Sequence, residues 1–306
     1  MKRTKLPVAE PIPVEAFRAA TSAVPRSTTR PLAGGKRARI IRQYIVAILA
    51  TGLWLFPIFW IALTSFKSQP DAYSRVPLFI FRPTIDNYVS LFSQQPFGQY
   101  LVNSAKLAGC TTIIAILVGS VAAYPLARLQ FRGRNNLLFW ILSLRMLPSI
   151  AVVVPFYLLL YELHLLDTLL GLLIAYLSFS LPFAIWMLTG FFEDIPHELD
   201  DAAFIDGCDH LAVLFRIHIP IVRPGIAVVA IFTFVFAWNE FLMALMLTEM
   251  NMKTVPVGLV SLVQPDNLPW GQLAAGSIIS LIPMLVVVFV LQRHIVRGMT
   301  LGAMKY

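Results

Sequence analysis

Seven acidic residues crowd into one polar segment of a chain that is otherwise strongly apolar. An anionic bilayer surface does not attract a segment of this charge, whereas small residues rimmed by acids suit a groove on a basic protein partner. A solvated amphipathic loop is the alternative, and the residues alone leave both interpretations open. The acids are Glu193, Asp194, Glu198, Asp200, Asp201, Asp206 and Asp209.

The same segment, residues 194–225, predicts two short helices joined at a glycine. Asp194 and Pro196 are typical helix-start residues, and Gly207 is a typical helix stop. Asp209 can then cap a second helix that ends at Pro220. We therefore expect a helix, a glycine elbow and a second helix at a membrane surface. Its apolar side chains are Leu199, Ala202 and Ala203 in the first helix, and Leu211, Leu214 and Phe215 in the second.

Two further charges, Arg145 and Glu240, lie within long apolar runs, where an ionisable side chain usually faces a bundle interior or water. Glu240, next to Asn239, is either functional or accepts hydrogen bonds from a neighbouring helix or subunit, and we favour the structural role. Arg145 either extends towards the cytoplasmic surface or lines a pathway. The deduced directions of their spans put the two charges at different depths, so no ion pair between them is implied.

The elements that carry these residues are predicted to be membrane helices. Over 306 residues, 58% are hydrophobic and 13% charged, which excludes an ordinary soluble domain. A bilayer core of roughly 30 Å needs about 20 apolar residues per helical crossing. We predict an all-α integral membrane protein with six transmembrane helices. The six runs are 44–66, 104–126, 137–161, 168–190, 224–247 and 272–292.

The distribution of Lys and Arg predicts the topology. Ten of them precede the first run, against two acids, and cytoplasmic segments are the ones enriched in Lys and Arg. Both termini are therefore expected in the cytoplasm. The predicted parts are a disordered basic tail over 1–43, a first span over 44–66, a periplasmic loop over 67–103, a core over 104–292 that includes the elbow loop 194–220, and a cytoplasmic C-terminal tail over 293–306.

Several other kinds of site find no support in the sequence. Cys110 and Cys208 have neither a metal-type spacing nor a plausible pairing, and the segment Gly34 to Lys36 lacks the remaining residues of a phosphate-binding loop. No basic stripe with interleaved aromatic residues indicates nucleic acid. The chain is expected to hold no metal, cofactor or catalytic residue. The histidines are interpreted as surface residues: His164, His197, His210, His218 and His294.

The elbow resembles the EAA motif of ABC importer membrane subunits, written as EAA, three residues, Gly, nine residues and Ile-x-Leu-Pro. The spacing matches at every position, and the two departures, Asp201 for Glu and Ile219 for Leu, keep the chemistry. Asp201 has a shorter reach than Glu for an ion pair to an arginine of the ATPase. The matching residues are Asp201, Ala202, Ala203, Gly207, Ile217, Ile219 and Pro220.

Further residues, from about position 44 to the end, resemble the carbohydrate branch of that family and its smaller, six-span maltose-type subunit. They include Asn87-Tyr88, Asn103-Ser104, Ala127-Arg128, Ala237-Trp238-Asn239-Glu240, Gln292-Arg293 and the run from Arg297 to Lys305. The resemblance implies a type I importer permease fold in a bacterial inner membrane. It also implies a sugar, oligosaccharide or polyol as solute, with the contacting residues unassigned.

The resemblance further implies that residues Glu198 to Gly207 form a coupling helix seated in a cleft of an ATPase subunit. The expected partners are a second permease chain, two ATPase subunits that bind ATP and Mg²⁺, a periplasmic or lipid-anchored solute-binding protein, and membrane lipid. The alternative function is an ion-coupled secondary carrier of a small polar solute. That carrier needs coupling sites at mid-membrane, for which Arg145 and Glu240 alone are a weak case.

Overall fold

The computed structural model describes residues 33–265 and 268–302, with side chains described for 39–265 and 268–293. The predicted tail over 1–43 therefore lies mostly outside the described residues, and its last part, from Ala33, is already helical. The first helix thus begins before residue 44. Likewise, the last helix continues to Gly302, past the predicted end of the sixth span, and residues 303–306 lie outside the described part.

The described chain is a succession of helices joined by short connections. The first half contains α1 (Ala33–Ser65), α2 (Gln69–Ala72), α3 (Asp86–Gln94), α4 (Phe97–Arg128), α5 (Arg134–Ser143), a 3₁₀ turn (Leu144–Met146) and α6 (Ser149–Glu162). The second half contains α7 (Leu169–Glu193), α8 (Glu198–Ile205), α9 (His210–Val213), a π-turn (Leu214–His218), α10 (Ile219–Ile221), α11 (Arg223–Asn239), α12 (Leu242–Leu247), α13 (Val255–Val260) and α14 (Trp270–Gly302).

Four helices are long and apolar enough to cross a membrane: Arg39–Ser65 of α1, α4, α7 and Trp270–Arg293 of α14. Two bent pairs also qualify, Arg134–Met146 with Ser149–Glu162, bent by 89°, and His210–Ile221 with Arg223–Asn239, bent by 81°. With each pair as one crossing, the described chain has six spans. The all-helical membrane fold is therefore confirmed.

The third span is not the continuous run that we predicted over 137–161. Leu147 has extended backbone angles, φ −65° and ψ 125°, between the 3₁₀ turn and α6. The cause is Pro148, whose ring disfavours the helical conformation in the residue before it. The chain therefore turns sharply within the predicted span.

The fifth predicted span, 224–247, is also broken. Helix α11 ends at Asn239, Glu240 is extended with ψ 128°, and α12 begins at Leu242.

The second span needs a different correction, because α4 begins at Phe97 and includes residues 97–103 of the predicted periplasmic loop. Its polar residues Asn103 and Ser104 are helical and buried, since they bind backbone groups of the segment 251–255.

Residues up to Pro57 form one unit and Ile58 onwards forms a second. Within the first unit, α1 exposes its large apolar side chains, with Leu53 at 75% and Trp54 at 79%. Exposed apolar side chains along a helix of this length are typical of contact with lipid or with another membrane helix.

The second unit is built around α4 and α7, which pack along much of their length. A Cβ atom added at Gly119 would lie 3.2 Å from Cβ of Ala184, so a small residue lets the two helices approach closely. One buried cluster surrounds Trp238 and Tyr176, and the other surrounds Phe192 and is continuous with the elbow. The core helices are therefore packed directly onto α8.

Candidate functional site

The elbow between α8 and α9 is formed by a glycine-dependent helix stop. Gly207 has φ +84°, and its N–H donates to the carbonyl of Phe204 at 3.1 Å. The N–H of Cys208 donates to the carbonyl of Ala203 at 2.9 Å. This pair of hydrogen bonds is the Schellman motif, in which glycine takes the left-handed conformation at no steric cost. The predicted stop at Gly207 is confirmed.

The second arm begins as expected and ends differently. Asp209 caps α9 by accepting a hydrogen bond from the N–H of Ala212 at 2.8 Å. The helix does not stop at Pro220, because a π-turn and α10 continue it to Ile221 before the bend into α11. Pro220 therefore lies within a continued helical stretch, at the second residue of α10. Ile217 and Ile219 pack, partly buried, against the cluster around Phe192.

The first arm starts differently from the prediction. Asp194 does not begin α8 but closes α7, with its N–H donating to the carbonyl of Gly190 at 3.3 Å. Pro196 lies two residues before α8, and its carbonyl accepts a hydrogen bond from the N–H of Leu199 at 3.4 Å. A short turn at 194–197 therefore separates the long helix from the elbow.

Helix α8 has two faces of different chemistry. Ala203 and Asp200, three residues apart, are 5% exposed each and face the core. Glu198, Asp201 and Ala202 are exposed on the other side. The predicted apolar face of Leu199, Ala202 and Ala203 is therefore divided: Leu199, at 42%, and Ala202 are exposed, whereas Ala203 is buried on the other side.

Apolar side chains accompany the acids on the exposed surface of the elbow. Ile205 is 86% exposed. Leu199, Phe204, Leu211 and Phe215 are also exposed, at 42%, 39%, 57% and 51%. Large apolar groups rimmed by carboxylates are typical of a protein-binding surface. Burial of the apolar groups against a partner is favourable because it removes apolar surface from water, and the charged rim supplies specificity. We call the exposed residues of 198–215 the outer face of the elbow.

The inward side of α8 is held by a buried charge cluster. Nε of Arg128, at the end of α4, lies 3.0 Å from Oδ2 of Asp200. Nε2 of His218 donates to Oδ1 of the same carboxylate at 2.6 Å. The three side chains are 2%, 7% and 0% exposed. The contact of Arg128 is an ion pair rather than an aligned hydrogen bond, since its N–H groups find no hydrogen-bond acceptor in the described chain.

The cluster joins three elements: α4, α8 and the π-turn. Aromatic rings enclose it, with the centroids of Tyr124 and Phe192 at 5.2 and 5.6 Å from that of His218. Because a buried carboxylate and guanidinium each depend on the other for charge compensation, α8 cannot leave α4 at low cost. The elbow is therefore attached to the end of the core helix α4.

Sequence reasoning missed this cluster. His218 was interpreted as a surface residue, which is wrong, and Asp200 was grouped with the solvent-facing acids. One signal was available: Asp200 lies three residues before Ala203, so both belong to one face of a helix. Nothing in the sequence near Asp200 points to Arg128, which belongs to a distant helix.

The two charges within the apolar runs line one cavity. Arg145 and Glu240 both border this cavity of about 210 Å³, which lies between the break at Leu147 and the break at Glu240. They form no ion pair. Oε1 and Oε2 of Glu240 accept the N–H groups of Met243 and Ala244 at 2.9 and 3.2 Å, which caps α12. Nδ2 of Asn239 donates within α11 to the carbonyl of Val235 at 2.8 Å.

At the opposite end of the molecule from the elbow, Asp167 fastens two connections together. Its carboxylate accepts hydrogen bonds from the N–H groups of Met250, Asn251 and Met252 at 3.1, 2.9 and 2.9 Å. Partial burial raises the pKa of Asp167, but these backbone donors outweigh it and hold the pKa below its ordinary value of 3.8. The connection after α6 is thereby tied to the connection after α12.

Membrane-length helices, two broken spans and a two-faced elbow define a polytopic membrane protein. The fold is that of ABC importer permeases. It is similar to a bacterial ABC transporter involved in import of the acidic polysaccharide alginate, with a TM-score of 0.69 and 23% identity over 85% of this chain and 97% of that one.

Residues 115–301 match the family described as binding-protein-dependent transport system inner membrane component. The chain belongs to this family. It is 35% identical to the trehalose/maltose transport system permease protein MalG of Thermococcus litoralis, over 88% of this chain and 99% of that protein. It is also 37% identical to the trehalose permease protein SugB of Mycobacterium tuberculosis, over 85% and 96%.

A third relative is the sulfoquinovosyl glycerol transport system permease protein SmoH of Agrobacterium fabrum. It is 35% identical over 89% of this chain and 94% of that protein. Each of these relatives is matched over nearly its whole length. The chain is therefore an inner-membrane, multi-pass permease subunit, as the sequence predicted.

Proposed function

We propose that this chain is one of two membrane-spanning subunits of a bacterial ABC importer for a carbohydrate, and that its elbow couples solute passage to ATP hydrolysis on separate subunits. The observation that carries the coupling role is the two-faced helix α8. Asp200 and Ala203 fasten its inner face to the core, while its outer face exposes apolar and acidic side chains, among them Ile205 at 86% and Leu199 at 42%.

The division between the faces supports a mechanical role. A docking surface that must transmit movement needs a rigid attachment behind it, because a loosely held loop would yield instead of pushing. The ion pair between Arg128 and Asp200 supplies that attachment to α4. Closure of two ATPase subunits around ATP and Mg²⁺ would then displace α8 and, through Arg128, tilt the core helices from an inward-facing to an outward-facing arrangement.

Carbohydrate as the solute class is supported by the relatives, several of which are named as permeases for trehalose, maltose or sulfoquinovosyl glycerol. A solute-binding protein on the outer side fits the family description and the solved alginate importer in complex with an oligosaccharide-bound periplasmic protein. The second permease chain completes the pathway. ATP and Mg²⁺ belong to the ATPase chains in this proposal.

Reconstitution tests the proposed function directly. The complex would be purified from its host through this chain and placed in liposomes with the co-purifying solute-binding protein. We expect a P-loop ATPase in the preparation and ATP hydrolysis that rises when the loaded binding protein is added. Recovery of this chain alone, with sugar flux that follows a proton or sodium gradient, would instead establish a secondary carrier.

A further inference from the structure

Two breaks in membrane-spanning helices meet at one cavity. The first is at Leu147, between the 3₁₀ turn and α6, and the second is at Glu240, between α11 and α12. Non-helical backbone at membrane depth is tolerated only where it is enclosed by protein or lines a water-filled space. Broken helices that face each other are a usual way to build a solute site near the midplane. The cavity is therefore a candidate point of solute contact.

Arg145 is the unusual group in this cavity. Its guanidinium lies 4.4 Å from the ring centroids of both Phe183 and Phe236. These two centroids are 5.5 Å apart and the ring planes are nearly perpendicular, at 87°, so the rings pack on adjacent sides of the guanidinium. A guanidinium carries five N–H donors, and within the described residues no hydrogen bond or carboxylate contact reaches them. The side chain therefore lacks a counter-charge.

Glu240 does not supply the missing counter-charge. Each of its carboxylate oxygens accepts one backbone N–H at the start of α12, so the charge of Glu240 serves as a helix cap. The remaining polar groups that line the cavity are the hydroxyls of Ser149, Tyr176, Ser180 and Thr233, of which Tyr176 donates to the backbone carbonyl of Glu240 at 3.5 Å. The cavity therefore contains one cation without a counter-charge, the carboxylate of Glu240 that caps α12, and neutral hydroxyl groups.

We propose that Arg145 recognises the carboxylate of an acidic sugar as it passes through this subunit. The inference rests on the proposed function, because it assigns the solute class of the same importer. A guanidinium edge matches the two oxygens of a carboxylate, and the charge makes each hydrogen bond stronger than a neutral one. The hydroxyls of Ser149, Ser180 and Thr233 would bind ring hydroxyls beside it.

The size of the cavity fits a single sugar unit. Its volume of about 210 Å³ is below the roughly 300 Å³ at which pockets for drug-sized ligands begin. Phe183 and Phe236 also present ring edges and faces against which an apolar sugar face can pack. An oligosaccharide would therefore pass with one residue at a time beside Arg145.

The test measures sugar binding to the intact importer in lipid nanodiscs, without the solute-binding protein. Saturation-transfer NMR titrations would compare sodium glucuronate with glucose, which differ by one carboxylate. We expect glucuronate to bind on the order of tenfold more tightly. Arg145→Gln should abolish that preference, and Arg145→Lys, which keeps the charge but loses the planar edge, should reduce it. Arg132→Gln, at an exposed position, is the matched control and should keep it.

Equal binding of the two sugars by the wild-type importer would overturn the inference, and so would an unchanged preference in Arg145→Gln. If Arg145→Gln instead loses the second permease chain during purification while the wild type shows no preference, then Arg145 pairs with an acid of that chain and the inference is wrong. ATP hydrolysis that rises when the loaded solute-binding protein is added to the same wild-type preparation supports the proposed function in either case. Absence of any ATPase subunit from the preparation would instead contradict the proposed function.

Discussion

Nε of Arg128 lies 3.0 Å from Oδ2 of Asp200, and both side chains are almost completely buried. This one contact ties the end of the long helix α4 to the short helix α8, whose other side faces outwards. His218 donates to the second oxygen of the same carboxylate, so the tie also includes the π-turn that leads into α11. Asp200 therefore links α8 to two core helices, directly to α4 and through the π-turn to α11.

Loss of the Asp200 carboxylate should detach the elbow from the core. Asp200→Ala leaves the buried guanidinium of Arg128 uncompensated, at a cost of roughly 3–5 kcal/mol. We expect a lower thermal stability in detergent and faster protease cleavage between residues 194 and 210. The exposed Asp206→Asn is the control and should behave as wild type. Wild-type stability in Asp200→Ala would show that the pair does not hold the elbow.

Gly207 tests the backbone geometry of the elbow. A valine at φ +84° is strained by about 1–2 kcal/mol, although no atom lies within 4 Å of the added Cβ. Asparagine tolerates the left-handed conformation and serves as the matched variant. We expect Gly207→Val to reduce ATP-dependent uptake strongly and Gly207→Asn to retain most of it. Equal uptake in both variants would mean that the left-handed conformation is not needed for coupling.

Ala202 is exposed and its neighbour Ala203 is buried, so the same substitution at the two positions tests docking and folding separately. Ala203→Leu overfills the cluster formed with Val213 and Leu214 and should cost about 1–3 kcal/mol of stability. Ala202→Leu adds the same atoms to the outer face and should leave thermal stability unchanged while weakening recovery of the ATPase. If both variants lose stability equally, the assignment of the two faces is wrong.

Glu240 should act as a helix cap. Glu240→Ala removes both acceptors for the N–H groups of Met243 and Ala244 and should lower stability by about 0.5–2 kcal/mol. Glu240→Gln keeps one acceptor oxygen, so its thermal unfolding should lie between Glu240→Ala and the wild type. A carboxylate needed only for solute contact would reverse this pattern, with unchanged stability and reduced uptake in Glu240→Gln.

Asp167 makes one part of the stability depend on pH. Because its folded-state pKa is lower than its ordinary value of 3.8, its contribution is complete above that value and is lost as pH falls through the lower folded-state value. Thermal unfolding of wild type and Asp167→Asn, followed from neutral pH to about pH 2, should therefore converge at the acid end. A constant difference between the two proteins across that range would contradict the assignment.

The local features of the elbow could be predicted because they depend on single residues. Gly207 ends α8 through its own left-handed backbone conformation, and Asp209 caps α9 through its own side chain. The number of membrane crossings was equally accessible, since runs of apolar residues report the thickness of a bilayer.

The breaks within the spans differ in how far they were foreseeable. Leu147 precedes Pro148, and this pairing is a local signal for a break. The break at Glu240 has no such proline signal. The backbone leaves the helical conformation at Glu240, and its carboxylate then caps α12. The contact of Arg128 with Asp200 and the shared cavity of Arg145 and Glu240 both join distant parts of the chain. Such contacts follow from how helices pack, which periodicity does not determine.

The most direct test of the coupling role is chemical cross-linking from the outer face of the elbow. Ala202→Cys would be made in a chain whose two native cysteines are replaced by serine, and the intact complex treated with a thiol-to-amine reagent. We expect mass spectrometry to find the cross-link on a P-loop ATPase, and none from the exposed Ser93→Cys in α3. No ATPase cross-link from position 202, or the same cross-link from both positions, would contradict the account.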